Sequence, residues 1–338
     1  MKDSFYIQTI ILGNIQRETI INLAGGIFLD QLGGSLIYSS AAYRFWSEGP
    51  GLIARIDKKI PEAYLSQLEK YGMNITGIHQ TGSSFELRSF YAMLDEDHYD
   101  TENPVGYFGR LKKPFPRILL GYSGLSFQKE NRNHPSPTTL FPEDVPETFL
   151  NASMALLGSV DFLSISMLAP HLRNNSIKTV VIKPSSGTMN PSFWYEFPAL
   201  VRGCTGLICS QKNALNLFLG KSENLWEIAE AITSYGLEFI IITCGANGQL
   251  VFDRLNHNRW QIPAYPTKVI DSVHTSDTFA GAFLAGFRKC FDPLKASYYG
   301  NIACSIKLEG SGPFYLLKAL PELAEARLNV IREKAIKC

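Results

Sequence analysis

From Asn151 onward, short apolar runs alternate with amphipathic stretches, and this alternation constrains the fold more than any other feature of the chain. The run Phe239, Ile240, Ile241, Ile242, Thr243 is almost wholly apolar and rich in β-branched residues. That is the pattern of a strand covered on both faces, as in a parallel sheet. Residues 162–165, 179–182 and 206–209 read as further strands, and 249–253 as one able to pair with a strand near Trp260. Helices are expected at 193–200, 225–235, 276–289 and 293–308, followed by a C-terminal helix carrying Leu316, Leu317, Leu320 and Leu323. Strands alternating in this way with helices predict an α/β fold with a doubly wound, mostly parallel sheet.

The first half fits the same plan. Strands are expected at 7–12, 19–23, 26–29 and 51–56. A helix over 35–46 is opened by Gly33 and Gly34, and another over 61–71 turns Leu65 and Leu68 inward before stopping at Gly72. Residues 84–94 alternate as a strand does. Residues 95–146, rich in proline and polar side chains, read as loop and edge structure, with 117–122 a candidate strand. At 338 residues the chain can bury a large core. Its net charge of +1 gives no electrostatic footprint for nucleic acid or an anionic membrane. No apolar run approaches the roughly 20 residues that span a bilayer. Asp3 and Gln8 interrupt the stretch that a signal peptide would keep apolar. The six cysteines form no C-x-x-C pair. A cytoplasmic protein with free thiols is the expectation, and neither Cys nor His shows the spacing of direct metal ligands.

The chemistry concentrates in residues 271–287, a polar turn feeding a helix of small and apolar residues, with Asp277 at the junction. The first turn of a helix offers unpaired N–H groups and the positive end of a dipole, a natural seat for phosphate. A carboxylate beside that seat can accept the proton of a hydroxyl attacking the phosphate. Phosphoryl transfer to an alcohol is the reaction this layout suggests. Just beyond the first strand, Asn14, Gln16 and Glu18 supply donors and acceptors suited to fixing hydroxyls, at the strand end where such sheets bind ligands. Gly33 and Gly34 let backbone approach a ligand closely.

These segments, in this order, resemble the ribokinase-like (PfkB) carbohydrate kinases from about residue 7 to 313. The family's late signature D-T-x-G-A-G-D-x-F is met at Asp271, Asp277 and Phe279, whereas His274, Thr275 and Ser276 replace its Gly-Ala-Gly. Its start G-S-I-N-A-D is echoed with Gln16 for the Asn and Glu18 for the Asp. G-G-x-x-x-N is echoed with Tyr38 in place of the Asn. T-x-G-x-x-G is kept at Thr243, Gly245 and Gly248, and N-x-x-E becomes Ser210 and Asn213. The resemblance implies a ribokinase-like fold in one domain over 1–338, with a small β lid from about 17–31 and 83–94. It implies Asp277 as base and the 274–276 loop as anion hole. ATP would be held by Thr243, Gly245, Gly248 and Asn301. Mg²⁺ would have Asn213 in its outer shell. A small-molecule alcohol would lie against Asn14, Gln16, Glu18, Gly33, Gly34 and Tyr38. Lid strands pair between subunits in several members, so a homodimer through the lid is also implied. The replaced Gly-Ala-Gly and the missing metal-side Glu leave a second expectation open: a catalytically impaired relative serving as a ligand-binding regulator or assembly subunit.

Overall fold

The computed structural model describes residues 7–82, 84–124, 130 and 132–338. Asp3 and Ser83, the latter the expected start of the second lid segment, lie outside them. In the first half, β1 (Thr9–Leu12) runs into β2 (Gln16–Ile21) and β3 (Ile27–Gly33), then α1 (Ser35–Trp46). Next come β4 (Gly51–Ile56), α2 (Glu62–Lys70), β5 (Asn74–Gln80), β6 (Arg88–Met93), β7 (Tyr99–Asp100) and α3 (Pro104–Arg110). The second half holds β8 (Met154–Leu157), α4 (Phe162–Asn174), β9 (Thr179–Ile182), α5 (Phe197–Leu200), β10 (Gly206–Ser210), α6 (Gln211–Leu217) and α7 (Leu225–Thr233). β11 (Phe239–Thr243), β12 (Gln249–Asp253), β13 (Asn258–Ile262), α8 (Thr275–Cys290), α9 (Pro293–Lys307), α10 (Pro321–Arg332) and β14 (Ile336–Lys337) complete it.

Ten strands form one large sheet in the order β14-β13-β12-β11-β10-β9-β8-β1-β4-β5. From β11 through β5 every pairing is parallel, and β12 to β14 extend one edge in antiparallel fashion. Residues alternate between the two faces along each strand. Ile11, Leu156, Val181, Ile208 and Ile241 join the core under α1, α8 and α9. Ile10, Leu157, Ile182, Cys209 and Ile242 join the core under α4 to α7. A separate four-stranded sheet, β3-β2-β6-β7, carries its own apolar cluster around Phe90 and Phe108. The chain leaves β1 in one direction to β4 and in the other to β8, so the strand order reverses beside β1. Ligands in doubly wound sheets bind in the crevice that such a reversal opens at the carboxyl ends of the strands.

Several expectations are corrected. Residues 162–165 open a helix, because the Asp161 side chain accepts a hydrogen bond from the Ser164 N–H (2.8 Å) and caps it. The strand of that unit is β8, eight residues earlier. Residues 117–122 hold one 3₁₀ turn at Arg117–Leu119, which packs Leu119 under the small sheet. The 193–200 helix is divided by its prolines into a 3₁₀ turn at Pro191–Phe193 and the four-residue α5. Pro321 starts the last helix later than expected; Ala324, Leu328 and Ile331 face the core, and Leu320 and Leu323 are exposed. β5 and α3 fall where no element was expected.

Candidate active site

Three strand ends converge at the reversal: Asn14 lies just past β1, Ser159 just past β8, and Lys183 immediately past β9. The N-terminus of α8 comes down onto them. His274, its N-cap, is left-handed at φ 56°, an uncommon conformation for a residue with a side chain. Behind this loop, Lys307 and Asp271 form a fully buried ion pair (3.1 Å). The Lys307 ammonium also donates to the Asp271 carbonyl (2.7 Å), and Asp271 Oδ1 accepts from the Val273 N–H (2.8 Å). Burial pulls the Lys307 ammonium down from its ordinary range, and the Asp271 carboxylate opposes that. The pair fixes the turn from which His274 projects.

His274 and Asp277 are the centre of an alternating chain of charges. Lys183 Nζ lies 2.9 Å from Asp277 Oδ1, His274 Nδ1 lies 2.8 Å from Asp277 Oδ2, and His274 Nε2 lies 2.9 Å from Glu18 Oε1. Burial alone would raise the Asp277 carboxyl, but Lys183 and His274 outweigh it and hold the group well below the usual carboxylate range. Burial alone would lower the His274 imidazole; Glu18 and Asp277 reverse this and lift it to about 9. Both ring nitrogens therefore donate, one to each carboxylate.

The expected acceptor-side residues gather here. Glu18 is fully buried against Gly33, where an added Cβ would stand 2.0 Å from the carboxylate carbon. It accepts from the Gly34 N–H (2.7 Å) and from the Tyr38 hydroxyl (3.2 Å). Gly34 needs its lack of a side chain: φ is +94°, and a Cβ would meet the Asn14 carbonyl at 2.4 Å. The Tyr38 ring stacks on the His274 imidazole (centroids 4.7 Å apart), and Tyr91 approaches it edge-on. Burial pushes both phenols well up, so they act as neutral hydroxyls. The Tyr91 hydroxyl donates to Gln16 Oε1 (3.3 Å), and the Asn14 amide donates to the Ser159 carbonyl (2.6 Å). Thr275 turns its hydroxyl back to the Ser272 carbonyl (2.8 Å), and Ser276 is half-buried on the first turn.

The expected nucleotide side lies beyond β10 and β11. Thr243, Cys244 and Gly245 line an open cleft of about 450 Å³ together with Ser210, Gln211, Lys212 and Leu215. Gly245, at φ +56°, presents bare backbone; a Cβ there would approach only Asp97 Oδ1 of the lid turn, at 3.2 Å. Gly248 serves the hairpin itself, since a Cβ would stand 1.9 Å from the Ile262 carbonyl. Asn301 is a buried brace: its amide donates to Gln249 Oε1 (2.9 Å) and the Pro263 carbonyl (2.8 Å), and its oxygen accepts from the Tyr265 N–H (3.1 Å). Asn213 sits in the first turn of α6, its N–H capped by Ser210 Oγ (3.1 Å). Among the described residues no group of His, Cys, Asp and Glu is arranged to hold a metal, and no helix is long and apolar enough to cross a membrane.

Lys183 and Ser159 escaped the sequence reading. The strand 179–182 was expected with the right bounds, and the same strand-end rule that pointed to Asn14 points to Lys183. Ser159 was hidden by the misplaced strand at 162–165.

The sequence model of the pfkB family carbohydrate kinase matches residues 146–317, just over half of the chain. A cytidine kinase of Thermococcus kodakarensis is 30% identical over 73 residues, covering 22% of this chain and 26% of its own length. A ribokinase of Staphylococcus aureus is 26% identical over 193 residues, 55% of this chain and 60% of its own. The chain thus matches less than two thirds of the length of either curated relative. A candidate ribokinase II from E. coli, solved with ATP and Mg²⁺, superposes with a TM-score of 0.70 at 14% identity, covering 96% of this chain and 99% of its own. That likeness establishes the ribokinase-like fold, a large mostly parallel sheet with a smaller second sheet. With the family match running through β8 to α9, the chain belongs to the PfkB family of carbohydrate kinases.

Proposed function

We propose that this protein transfers a phosphoryl group from ATP to a hydroxyl of a sugar, nucleoside or related small alcohol, with Asp277 as the base. The observation that carries the reading is the placement of an ionised, buried Asp277 at the N-terminus of α8, over the crevice where β1, β8 and β9 end. The positive groups around it suit a polyphosphate: the first turn of α8, the charges of Lys183 and protonated His274, and a cleft lined by Thr243, Gly245 and Lys212. The family relatives that phosphorylate ribose and cytidine support the acceptor class. That cleft would hold ATP as the phosphoryl donor, and Mg²⁺ would neutralise its charge; Asn213, next to Lys212 in the first turn of α6, would be suited to a metal-bound water. The chain's own part is to orient the acceptor through Asn14 and Gln16 and to take its hydroxyl proton on Asp277. The four-stranded sheet would be the lid, and through it two copies would pair, as lid strands do in several family members.

Asp277→Asn keeps the shape and removes the base. The expected result is a fall in turnover of about 10²–10⁴-fold, with ATP affinity by calorimetry unchanged. Undiminished turnover in that variant refutes the assignment.

One observation favours a second reading. His274 already occupies one oxygen of Asp277 and one of Glu18, as a resident cation would in a chain that binds a ligand without transforming it. The triple change His274→Gly, Ser276→Gly, Asn213→Glu separates the two. A large gain in phosphorylation marks a degenerated kinase acting as a binder, and a loss marks a site adapted to its own residues.

A further inference from the structure

The two oxygens of Asp277 have different partners on different kinds of support. Oδ1 faces Lys183 Nζ (2.9 Å), with Ser159 Oγ at 3.5 Å. Among the described residues, Oδ2 faces only the imidazole of His274. Lys183 follows directly on the buried strand β9 and is itself held by Ser159 Oγ (2.9 Å); Ser159 in turn accepts the Asn14 amide on its carbonyl. Its ammonium therefore stands on the rigid floor of the sheet. The His274 ring instead bridges Asp277 to Glu18 of β2, a strand of the other sheet, so of the two cations it is the one that a shift between the sheets would draw away.

Resting on the proposed phosphoryl transfer, we infer that Lys183 is a positioning residue that pins Oδ1 of Asp277, leaving Oδ2 as the single oxygen presented to the acceptor hydroxyl when the His274 ring gives up that place. A carboxylate held at one oxygen cannot rotate freely, and the hydrogen-bonding direction of the other is then fixed. In the proton step the acceptor O–H bond breaks and an O–H bond forms at Oδ2. The electron pair stays on the acceptor oxygen for its bond to phosphorus, the bond from that phosphorus to the ADP oxygen breaks with its electron pair leaving on ADP, and Lys183 keeps its own proton throughout. The remaining groups around Asp277 leave this task to Lys183. Among the described residues, Glu18 of β2 reaches it through His274, the exposed Tyr99 phenol of β7 has its pKa raised further and stays neutral, and Lys307 is committed to Asp271.

The test compares the full chain with Lys183→Met and Lys183→Arg. Without any ligand, an NMR titration of the His274 ring should show its midpoint move upward by half a pH unit or more in Lys183→Met, since the competing cation is gone. It should return toward the wild-type value in Lys183→Arg. With an active acceptor, Lys183→Met should lower kcat at least tenfold with little change in acceptor KM. It should also bring an acid limb into the measurable pH–rate profile as Asp277 becomes easier to protonate, and Lys183→Arg should remove that limb. An unchanged His274 midpoint, or an unchanged pH–rate profile in an active Lys183→Met enzyme, overturns the inference. If the wild-type chain phosphorylates no acceptor, it is the phosphoryl-transfer reading that fails, and the ligand-free titration still tests whether Lys183 governs Asp277. Should Lys183→Met not fold, Lys183→Gln removes the charge while keeping a donor for Ser159, and it carries the same comparison.

Discussion

At the scale of single residues, His274 makes stability depend on pH in two opposite senses. Its folded-state pKa is raised from 6.5 to about 9. Its contribution is therefore complete below about pH 6.5 and is lost as pH rises through 9. Asp277 is depressed below its ordinary 3.8. Its contribution is complete above about pH 4 and is lost as pH falls further. Both contributions are whole between about pH 4 and 6.5, so resistance to urea should be greatest there and decline toward pH 9. His274→Asn should flatten the alkaline decline, which amounts to at most about 3 kcal/mol for a shift of this size. An identical slope in both proteins would show that the imidazole is not the titrating group. Asp277, His274 and Glu18 are legible in the sequence because each stands in an ordered motif. Lys183 stands in none, and only the reversal of strand order beside β1 gives it meaning.

At the scale of elements, α1 and α8 are packed backbone to backbone. A Cβ on Gly281 would lie 1.9 Å from the Ser39 carbonyl, and the Ser39 hydroxyl donates to the Asp277 carbonyl (3.0 Å). Gly281→Ala must push the helices apart; a loss of about 1–3 kcal/mol is expected from overpacking, read as a lower thermal midpoint. A fall in turnover should accompany it. A variant as stable as wild type would mean that the contact relaxes without cost. The run of small and apolar residues made α8 legible as a helix, while its close approach to α1 came only with the structure. Strands buried on both faces were equally plain, as β11 and β9 show. What failed were short apolar runs whose length fits either element. At 162–165 the deciding signal was the cap at Asp161, and at the C-terminus it was Pro321.

At the scale of the whole molecule, several polar links tie the lid sheet to its surroundings. Besides the His274–Glu18 pair and the Gly34 and Tyr38 donors to Glu18, the Tyr64 hydroxyl donates to the Asp30 carbonyl, the Leu23 N–H donates to the Ile270 carbonyl (3.0 Å), and the Asn22 amide donates to Ser311 Oγ (2.9 Å). His274→Gly should loosen this hold, seen as faster amide hydrogen exchange in β2 and β6 while β8 to β11 stay unchanged. Exchange unaltered in the lid would show that its packing alone keeps it in place. The architecture was readable from the alternation of elements. The acceptor class was not, because Tyr91 and the Tyr99 packed against it come from β6 and β7, the two strands of the small sheet that carry no motif. The tight seam between α1 and α8 has a further consequence. On the proposed phosphoryl transfer, α1 begins beside the acceptor, after Gly34, and α8 begins beside the phosphate, so one welded pair of helices would set the distance between the two reactants. Aim would then be built into the body of the protein before any substrate arrives, leaving the smaller sheet to govern when water is shut out.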